Sequence, residues 1–442
     1  MHDRTKTLFI ETVGCQMNVL DSELVVGSLR RQGYELVHEP TAADVILFTT
    51  CSVREHAEEK TYSALGRLSK HKKEHPETVI GVLGCMAQKD QEEVRRRAPH
   101  VDMVVGTGQL ARVPELVAEV QKTRVPQYAL SLGRAEGGKQ SVTASFESFD
   151  PPRDASMRPT PFQAFVRIQI GCDKFCTYCV VPTTRGPEQS RHPDHLVAEC
   201  RQLAKEGCKE VTLIGQTVNS YVFDHGDGRR TRLSDLMSRI HDIESIERIK
   251  FVTNFPKDMT NDLLDAVREL PKAVKYLHVP VQSGCDEVLK RMKRRHLRQD
   301  VINFVERARK ARPDVVFGAD IIAGFPTETD AMFENSRALV EDLRLTHLHI
   351  FPYSEREGTP AAKMPAVEKK IRKQRAKILR EEGAKQMQKF LQSRIGKTEK
   401  ILIESENKGH TEHFVEVQIL GYQAGEIIEA EIIGVTENKL VA

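Results

Sequence analysis

Nine cysteines stand in this chain of 442 residues, and six of them fall into two sets of three with the makings of a metal site. Cys172, Cys176 and Cys179 form C-x3-C-x2-C directly after the apolar run that ends at Ile170. Three thiolates this close can ligate three irons of a cubane cluster and leave the fourth iron open to a small molecule. A zinc knuckle is the competing use, but zinc wants a fourth Cys or His nearby, and His192 and His195 lie beyond a loop. Cys15, Cys51 and Cys85 obey no local spacing rule. What they share is position, in Val13-Gly14-Cys15, Thr49-Thr50-Cys51 and Leu83-Gly84-Cys85, each just past a β-rich apolar run. The carboxyl ends of strands in an open parallel sheet face one crevice, so these three thiols are expected to converge as a second cluster site with an open iron. Ordinary burial is the bland alternative for any one of them. Cys200, Cys208 and Cys285 read as packing residues.

The elements that must position these thiols are legible in the periodicity. Lys6 to Thr12, Ala43 to Thr49 and Thr78 to Leu83 read as buried strands, with helices over Asp21 to Gln32, Arg54 to His71 and Asp90 to Arg97. That alternation predicts a doubly wound parallel α/β domain over 5–122. Gly, Ser, Pro and Asp then dominate, with Gly137-Gly138 and Pro151-Pro152, and predict a linker over 123–157. Six strand candidates, each followed by a helical stretch, come next: Ala164 to Ile170, Glu210 to Ile214, Arg248 to Thr253, Tyr276 to Val281, Val315 to Ala323 and His347 to Phe351. They predict a partial (β/α)6 barrel over 158–384, with reactive residues where strands end. Lys400 to Ile403, Phe414 to Ile419 and Ile427 to Ile433 predict a small all-β module over 385–442.

Composition excludes little but narrows the setting. The chain is 29% charged with a net charge of only +3, ordinary for a folded protein. No apolar stretch approaches the length of a membrane span, and Met1-His2-Asp3-Arg4 leads into a strand-like run, not a signal peptide. A cytoplasmic location is the expectation, and there an odd cysteine count argues for metal or redox chemistry over disulfides.

The string Gly171-Cys172-Asp173-Lys174-Phe175-Cys176-Thr177-Tyr178-Cys179 at the end of a first barrel strand resembles the radical S-adenosylmethionine superfamily. Further strings extend the likeness: Glu11 to Asn18, Thr50-Cys51-Ser52-Val53-Arg54-Glu55, Gly84-Cys85-Met86-Ala87-Gln88, Val104-Val105-Gly106-Thr107, Thr184-Arg185-Gly186, Gly215-Gln216-Thr217-Val218-Asn219, Pro280-Val281-Gln282-Ser283-Gly284 and Gly324-Phe325-Pro326. With both cysteine sets, the chain resembles the methylthiotransferases of that superfamily from Lys6 to the C-terminus. The resemblance implies two 4Fe-4S clusters and S-adenosyl-L-methionine as cofactors, with Cys172, Cys176 and Cys179 holding the radical-generating cluster and Cys15, Cys51 and Cys85 the sulfur-handling one. It implies cofactor contacts from Tyr178, near the adenine, and from Gly215, Gln216 and Gln282. It also implies a C-terminal TRAM-type domain, and it assigns no catalytic residue beyond the cluster ligands. Thr49 departs from the family string, which more often has Asn there.

The implied reaction is methylthiolation of adenine C2, where the C–H is not acidic and only a radical route serves. Over residues 1 to about 290 the likeness is to the branch acting on N6-(dimethylallyl)adenosine at position 37 of tRNA. From about Arg294 onward it is more like the branch acting on N6-threonylcarbamoyladenosine. A non-catalytic iron–sulfur RNA-binding regulator is the alternative of another class, against which the intact C-x3-C-x2-C speaks. The partners implied are a tRNA anticodon loop, S-adenosylmethionine, and external electron and sulfur donors, with the chain a monomer.

An anticodon-loop adenosine can be splayed out of its single strand, and phosphate neutralisation should then appear as local positive charge. Residues 290–312 hold ten Lys or Arg against Asp300 and Glu306, net +8, and residues 363–400 hold thirteen against four acids, net +9. Residues 401–442 carry eight Glu against Lys408 and Lys439, net −6. RNA contact is therefore expected on the helix before the β-module, around Lys369, Lys370, Arg372 and Lys373, and on a loop from Lys408 to His413. The competing reading of each run is a solvated helical face.

Overall fold

A computed structural model describes residues 5–52, 55–132 and 153–442. Gly137-Gly138 and Pro151-Pro152 of the expected linker, and Val53-Arg54 of the string after Cys51, lie outside them. The chain divides into two compact units, one of Met1–Pro159, Gln169–Asp173 and Val180–Arg191, the other of Thr160–Ile168, Lys174–Cys179 and His192–Ala442.

The first unit is built on six parallel strands: β1 Lys6–Thr12, β2 Tyr34–Leu36, β3 Val45–Thr50, β4 Val79–Gly84, β5 Met103–Val105 and β6 Gln127–Ala129. Their order across the sheet is β2-β1-β3-β4-β5-β6. Every residue of β3 and β4 is buried, as expected of strands covered on both faces, which read as unbroken apolar runs. Helices Gln16–Arg30, Glu55–Glu74, Gln91–Arg97 and Val113–Thr123 connect the strands. The strand order reverses direction between β1 and β3, and such a switch point opens a crevice outside the carboxyl ends of the two strands. The sixth strand, Gln127–Ala129, pairs with β5 inside the stretch expected as linker.

In the second unit Gln163–Arg167, Glu210–Ile214 and Arg248–Phe251 form one parallel sheet, and Tyr276–His278, Val316–Ala323 and His347–Pro352 another. A single parallel bridge, Ile249 to Ala273, links the third strand to the segment entering the fourth. One apolar cluster runs through both sheets and their helices, from Ala164 and Val166 to Ala376 and Leu379. The strand expected over Ala164 to Ile170 is two: Gln163–Arg167 pairs with Glu210–Ile214, and Gln169–Ile170 pairs antiparallel with Gln189–Ser190 in the first unit. The expected C-terminal module is a six-stranded mixed sheet, not three strands, and the helix Lys369–Gln392 leads into it. The expected loop from Lys408 to His413 is instead largely the strand Lys408–Thr411, hydrogen-bonded on both sides. Among the described residues no helix is long and apolar enough to cross a membrane.

Candidate functional site

The register of the first sheet explains why Cys15, Cys51 and Cys85 share one edge. Thr12 pairs with Thr49, Thr49 with Leu83, and Thr50 with Gly84, so Cys51 and Cys85 each follow the last paired residue of neighbouring strands. Cys15 comes three residues after β1 ends and is the N-cap of the helix Gln16–Arg30. Two glycines set the approach. Gly14 has φ +144°, and a Cβ there would stand 2.4 Å from Asn18 Nδ2 and 2.9 Å from Cys51 Cβ. Gly84 has φ +94°, and a Cβ there would meet the Thr50 carbonyl at 2.9 Å. Cys51 and Cys85 are buried and Cys15 is exposed, so the site opens to solvent on the Cys15 side.

Burial pushes the Cys85 thiol up to about 11; the Arg185 charge opposes this, while Cys15, Cys51 and Asp21 add to it. Arg185, 2% exposed, donates through Nη2 to Asn18 Oδ1 at 3.0 Å and Asp21 Oδ2 at 2.9 Å. Asn18 Oδ1 is in turn 3.9 Å from Cys15 Sγ. Beneath this layer Thr12 donates to Ser22 at 2.7 Å and Ser22 to Thr49 at 2.9 Å. Thr49, the departure from the family string, thus ends a buried hydroxyl chain.

The segment with the other three cysteines follows Gln169–Ile170. The Cys172 amide donates to Gly186 O at 3.2 Å. In the second unit, the Cys179 amide donates to Cys176 O at 3.1 Å, and Thr177 is fixed by Met292 O, Arg291 O and the Ala361 amide. Arg294 Nη1 stands 3.7 Å from Cys176 Sγ while its Nη2 donates to Pro280 O at 2.8 Å. Tyr178 packs beside Cys285, Val288, Met292, Phe325 and Tyr353, edge-on to Phe325 at 6.3 Å. Burial raises its hydroxyl well above the ordinary value, although Arg294 acts the other way.

Gly215 follows the strand Glu210–Ile214, and its carbonyl accepts from Thr253 Oγ1 at 2.8 Å. Gln216 comes next, half-buried. Gln282 has φ +72°, its amide donates to Asp320 O at 2.8 Å and its carbonyl accepts from the Ile322 amide at 2.9 Å. That left-handed backbone at a non-glycine residue is held by the neighbouring strand, the setting in which strain is stored at functional sites. Cys200 and Cys208 are buried in the core of the second unit and Cys285 lies beside Tyr178.

The donor chemistry of the first set fits a cluster. Among the described residues one group of three His, Cys or carboxylate side chains has donor atoms within 4.8 Å of one another, His278, Asp320 and His349. Cys15 and Cys51 both act on the Cys85 thiol, so the three sulfurs share one neighbourhood, and three thiolates are the donor set of a cubane with one open iron. The His278 group is hydrogen-bonded otherwise. His278 Nδ1 accepts from the Thr253 amide at 3.2 Å, which leaves the ring proton on Nε2, facing Asp320 at 3.2 Å. Burial alone would raise Asp320, but hydrogen bonds from His278 and His349 hold its carboxyl well below the usual range. A histidine with both nitrogens so used has no lone pair left for a metal.

The basic runs divide by residue type. Arg372 is buried, donating to Val367 O, Tyr353 O and Glu355, and so is not a phosphate ligand as expected. Arg375 is paired with Glu328 and Asp330. Arg298, Arg307, Arg309 and Arg312 likewise donate to carbonyls of neighbouring segments. Lys369, Lys370, Lys373 and Lys377 remain exposed on the helix, Lys377 beside Glu381 at 3.7 Å. Lys408 is paired with Glu404 and Glu416, and His413 is buried against Glu399, so the Lys408–His413 stretch offers little free charge. Asn18, Asp21, Arg185, Arg294 and the His278–Asp320–His349 group carried no role in the sequence reading. Asn18 and Arg185 lay within quoted strings, the one signal that could have found them.

Residues 7–106 match a family described as uncharacterized protein family UPF0004, and residues 166–340 match the radical SAM superfamily. A tRNA-2-methylthio-N(6)-dimethylallyladenosine synthase of Rhodopirellula baltica is 49% identical over 100% of this chain and 96% of its own length. An enzyme of the same name from Ruegeria pomeroyi is 41% identical over 98% of both chains. Among solved structures, the radical S-adenosylmethionine methyltransferase TsrM of Kitasatospora setae superposes with a TM-score of 0.58 at 13% identity, over 81% of this chain and 75% of that one. The cobalamin-dependent S-adenosylmethionine radical enzyme OxsB does so with 0.53 at 11% identity, over 86% and 56%. At such identities these structures speak to fold alone: an α/β radical SAM fold with a parallel-sheet N-terminal part and a mixed C-terminal sheet. The matches at 41% and 49% identity span both cysteine sets and the C-terminal third, and by them this chain belongs to the radical S-adenosylmethionine methylthiotransferase family.

Proposed function

We propose that this chain methylthiolates C2 of N6-(dimethylallyl)adenosine at position 37 of tRNA, giving 2-methylthio-N6-(dimethylallyl)adenosine, with S-adenosylmethionine and two 4Fe-4S clusters. The observation that carries the reading is the presence of two separate three-thiol sets, Cys15, Cys51 and Cys85 at one sheet edge and Cys172, Cys176 and Cys179 on one loop. When bound, these groups supply a carbon radical able to take hydrogen from an unactivated C2–H, and the sulfur to replace it. The chain's own residues bind and orient. Gly215, Gln216, Gln282 and Tyr178 contact S-adenosylmethionine in this reading, and Arg294 sets a positive charge beside Cys176.

Residues 5–122 form the sulfur-handling domain, 158–384 the radical core as a partial (β/α)6 barrel, and 385–442 a TRAM-type domain, with 123–157 between the first two. The enzyme works in the cytoplasm as a monomer, fed by external electron and sulfur donors. The dimethylallyl substrate is favoured over threonylcarbamoyladenosine because the synthases of that name match the C-terminal third as well as the rest. The likeness from about Arg294 onward favours the second substrate, so both belong in one experiment. Mass spectrometry of nucleosides from tRNA carrying either modification, after anaerobic incubation with the reconstituted protein, should show a methylthio mass increment on the dimethylallyl nucleoside. An increment on the threonylcarbamoyl nucleoside alone would reverse the substrate, and none on either would refute the reading.

A further inference from the structure

We propose that Arg185 is the hydrogen-bond donor and fixed positive charge for the anionic sulfur held at Cys15, Cys51 and Cys85, and that it raises the reduction potential of the cluster there. The inference rests on the reading of those three cysteines as cluster ligands. Arg185 belongs to the same unit as they do. Its guanidinium is buried, yet only one of its two terminal nitrogens is used. Nη2 donates to both Asn18 and Asp21, whereas Nη1 is buried with no hydrogen-bond partner. A buried ionised donor without an acceptor is costly and calls for a missing partner.

The surroundings identify that partner. Burial works against the Arg185 charge, and the groups that offset it are Asp21, Cys85 and Cys15. Asp21 is taken by Nη2, which leaves the thiol side as the remaining source of negative charge. Asn18 joins the two, its Oδ1 lying 3.0 Å from Arg185 Nη2 and 3.9 Å from Cys15 Sγ. Asp21 fixes the guanidinium through one edge, so the other edge is held in place before any sulfur arrives. A donor fixed next to a cluster favours the more negative, reduced form, because hydrogen bonds to sulfur and local charge set the potential. A purely structural Arg185, tying the segment Val180–Arg191 to the helix Gln16–Arg30, would leave the potential unaffected.

The test uses the full chain with Cys172, Cys176 and Cys179 all changed to Ala, reconstituted anaerobically, so that only the first set can hold iron. About four irons per chain are expected, and their absence would refute the cluster reading itself. On that background the midpoint potential is read by EPR-monitored titration for Arg185, Arg185→Gln and Arg185→Lys. Arg185→Gln should shift the potential to a more negative value, and Arg185→Lys, which keeps the charge, should recover part of the shift. If Arg185→Gln does not fold because the buried Arg185–Asp21 pair is broken, the double variant Asp21→Asn with Arg185→Gln removes that pair together and is titrated in its place. Loaded variants with the potential of the parent would overturn the role of Arg185 while leaving the cluster reading intact.

Discussion

Gly84 shows how little freedom surrounds the first thiol set. Its φ of +94° and ψ of −153° lie in a region that side chains avoid, and a Cβ would meet the Thr50 carbonyl at 2.9 Å. Gly84→Ala should therefore destabilise the protein by about 2 kcal/mol, read by urea denaturation, and reduce iron uptake by Cys15, Cys51 and Cys85. At the other set Cys176→Ala should abolish dithionite-driven release of 5′-deoxyadenosine; release at the parental rate would contradict its assignment as a ligand. The cysteines were legible because thiols past strand ends stand out against apolar runs. Their polar neighbours were not. The helix Gln16–Arg30 buries Asn18, Asp21, Ser22 and Glu23, and a helix read by periodicity sends such residues to solvent. Only contacts reveal why they turn inward: Arg185 meets Asn18 and Asp21, Thr12 and Thr49 meet Ser22, and Arg153 and Arg158 meet Glu23.

The helix Lys369–Gln392 separates charge that holds the fold from charge left for a partner. Arg375 is buried between Glu328 and Asp330, and Arg375→Ala would leave the buried Glu328, already raised by burial, without its cation. A loss of about 3 kcal/mol is expected from denaturation curves. Reversal of Lys369, Lys370, Lys373 and Lys377 to Glu should instead leave stability within about 1 kcal/mol. It should weaken tRNA binding and flatten its dependence on salt by filter binding. Arginine's fork suits it to capping carbonyls, and lysine's hydrated ammonium keeps to solvent, a division that counting charges along the chain does not reveal. Strands were legible where an apolar run marks them: Glu210–Ile214, buried throughout, falls on the expected residues, and so does β1, where only Leu8 is fully buried but Leu8, Phe9 and Ile10 stand in a row. Three-residue strands such as Tyr34–Leu36 and Met103–Val105 are too short for periodicity, and Lys408–Thr411 has too few apolar residues to announce itself.

Acid should loosen the molecule before its carboxylates titrate. Burial, helped by the nearby Arg294 charge, lowers His296 to about 4 from 6.5, and the ring is fully buried. Between those values the unfolded chain binds the proton and the folded chain does not, so the neutral ring's contribution is present above about pH 6.5 and lost as pH falls toward 4. The full effect is on the order of 3 kcal/mol, and His296→Gln should flatten the fall in urea midpoint between pH 7 and pH 4.5.

The C-terminal sheet belongs to the same unit as the second set of strands, and the joint is made of backbone acceptors. Arg248, on a core strand, donates to His410 O and Lys400 O. The Lys275 amide donates to Glu412 O, and His413 is bonded to Asp314 O. This sheet is not a detachable cassette. A chimera that exchanged it between relatives would need Arg248, Lys275 and Asp314 to travel with it, and the boundary natural to gene shuffling would fall elsewhere.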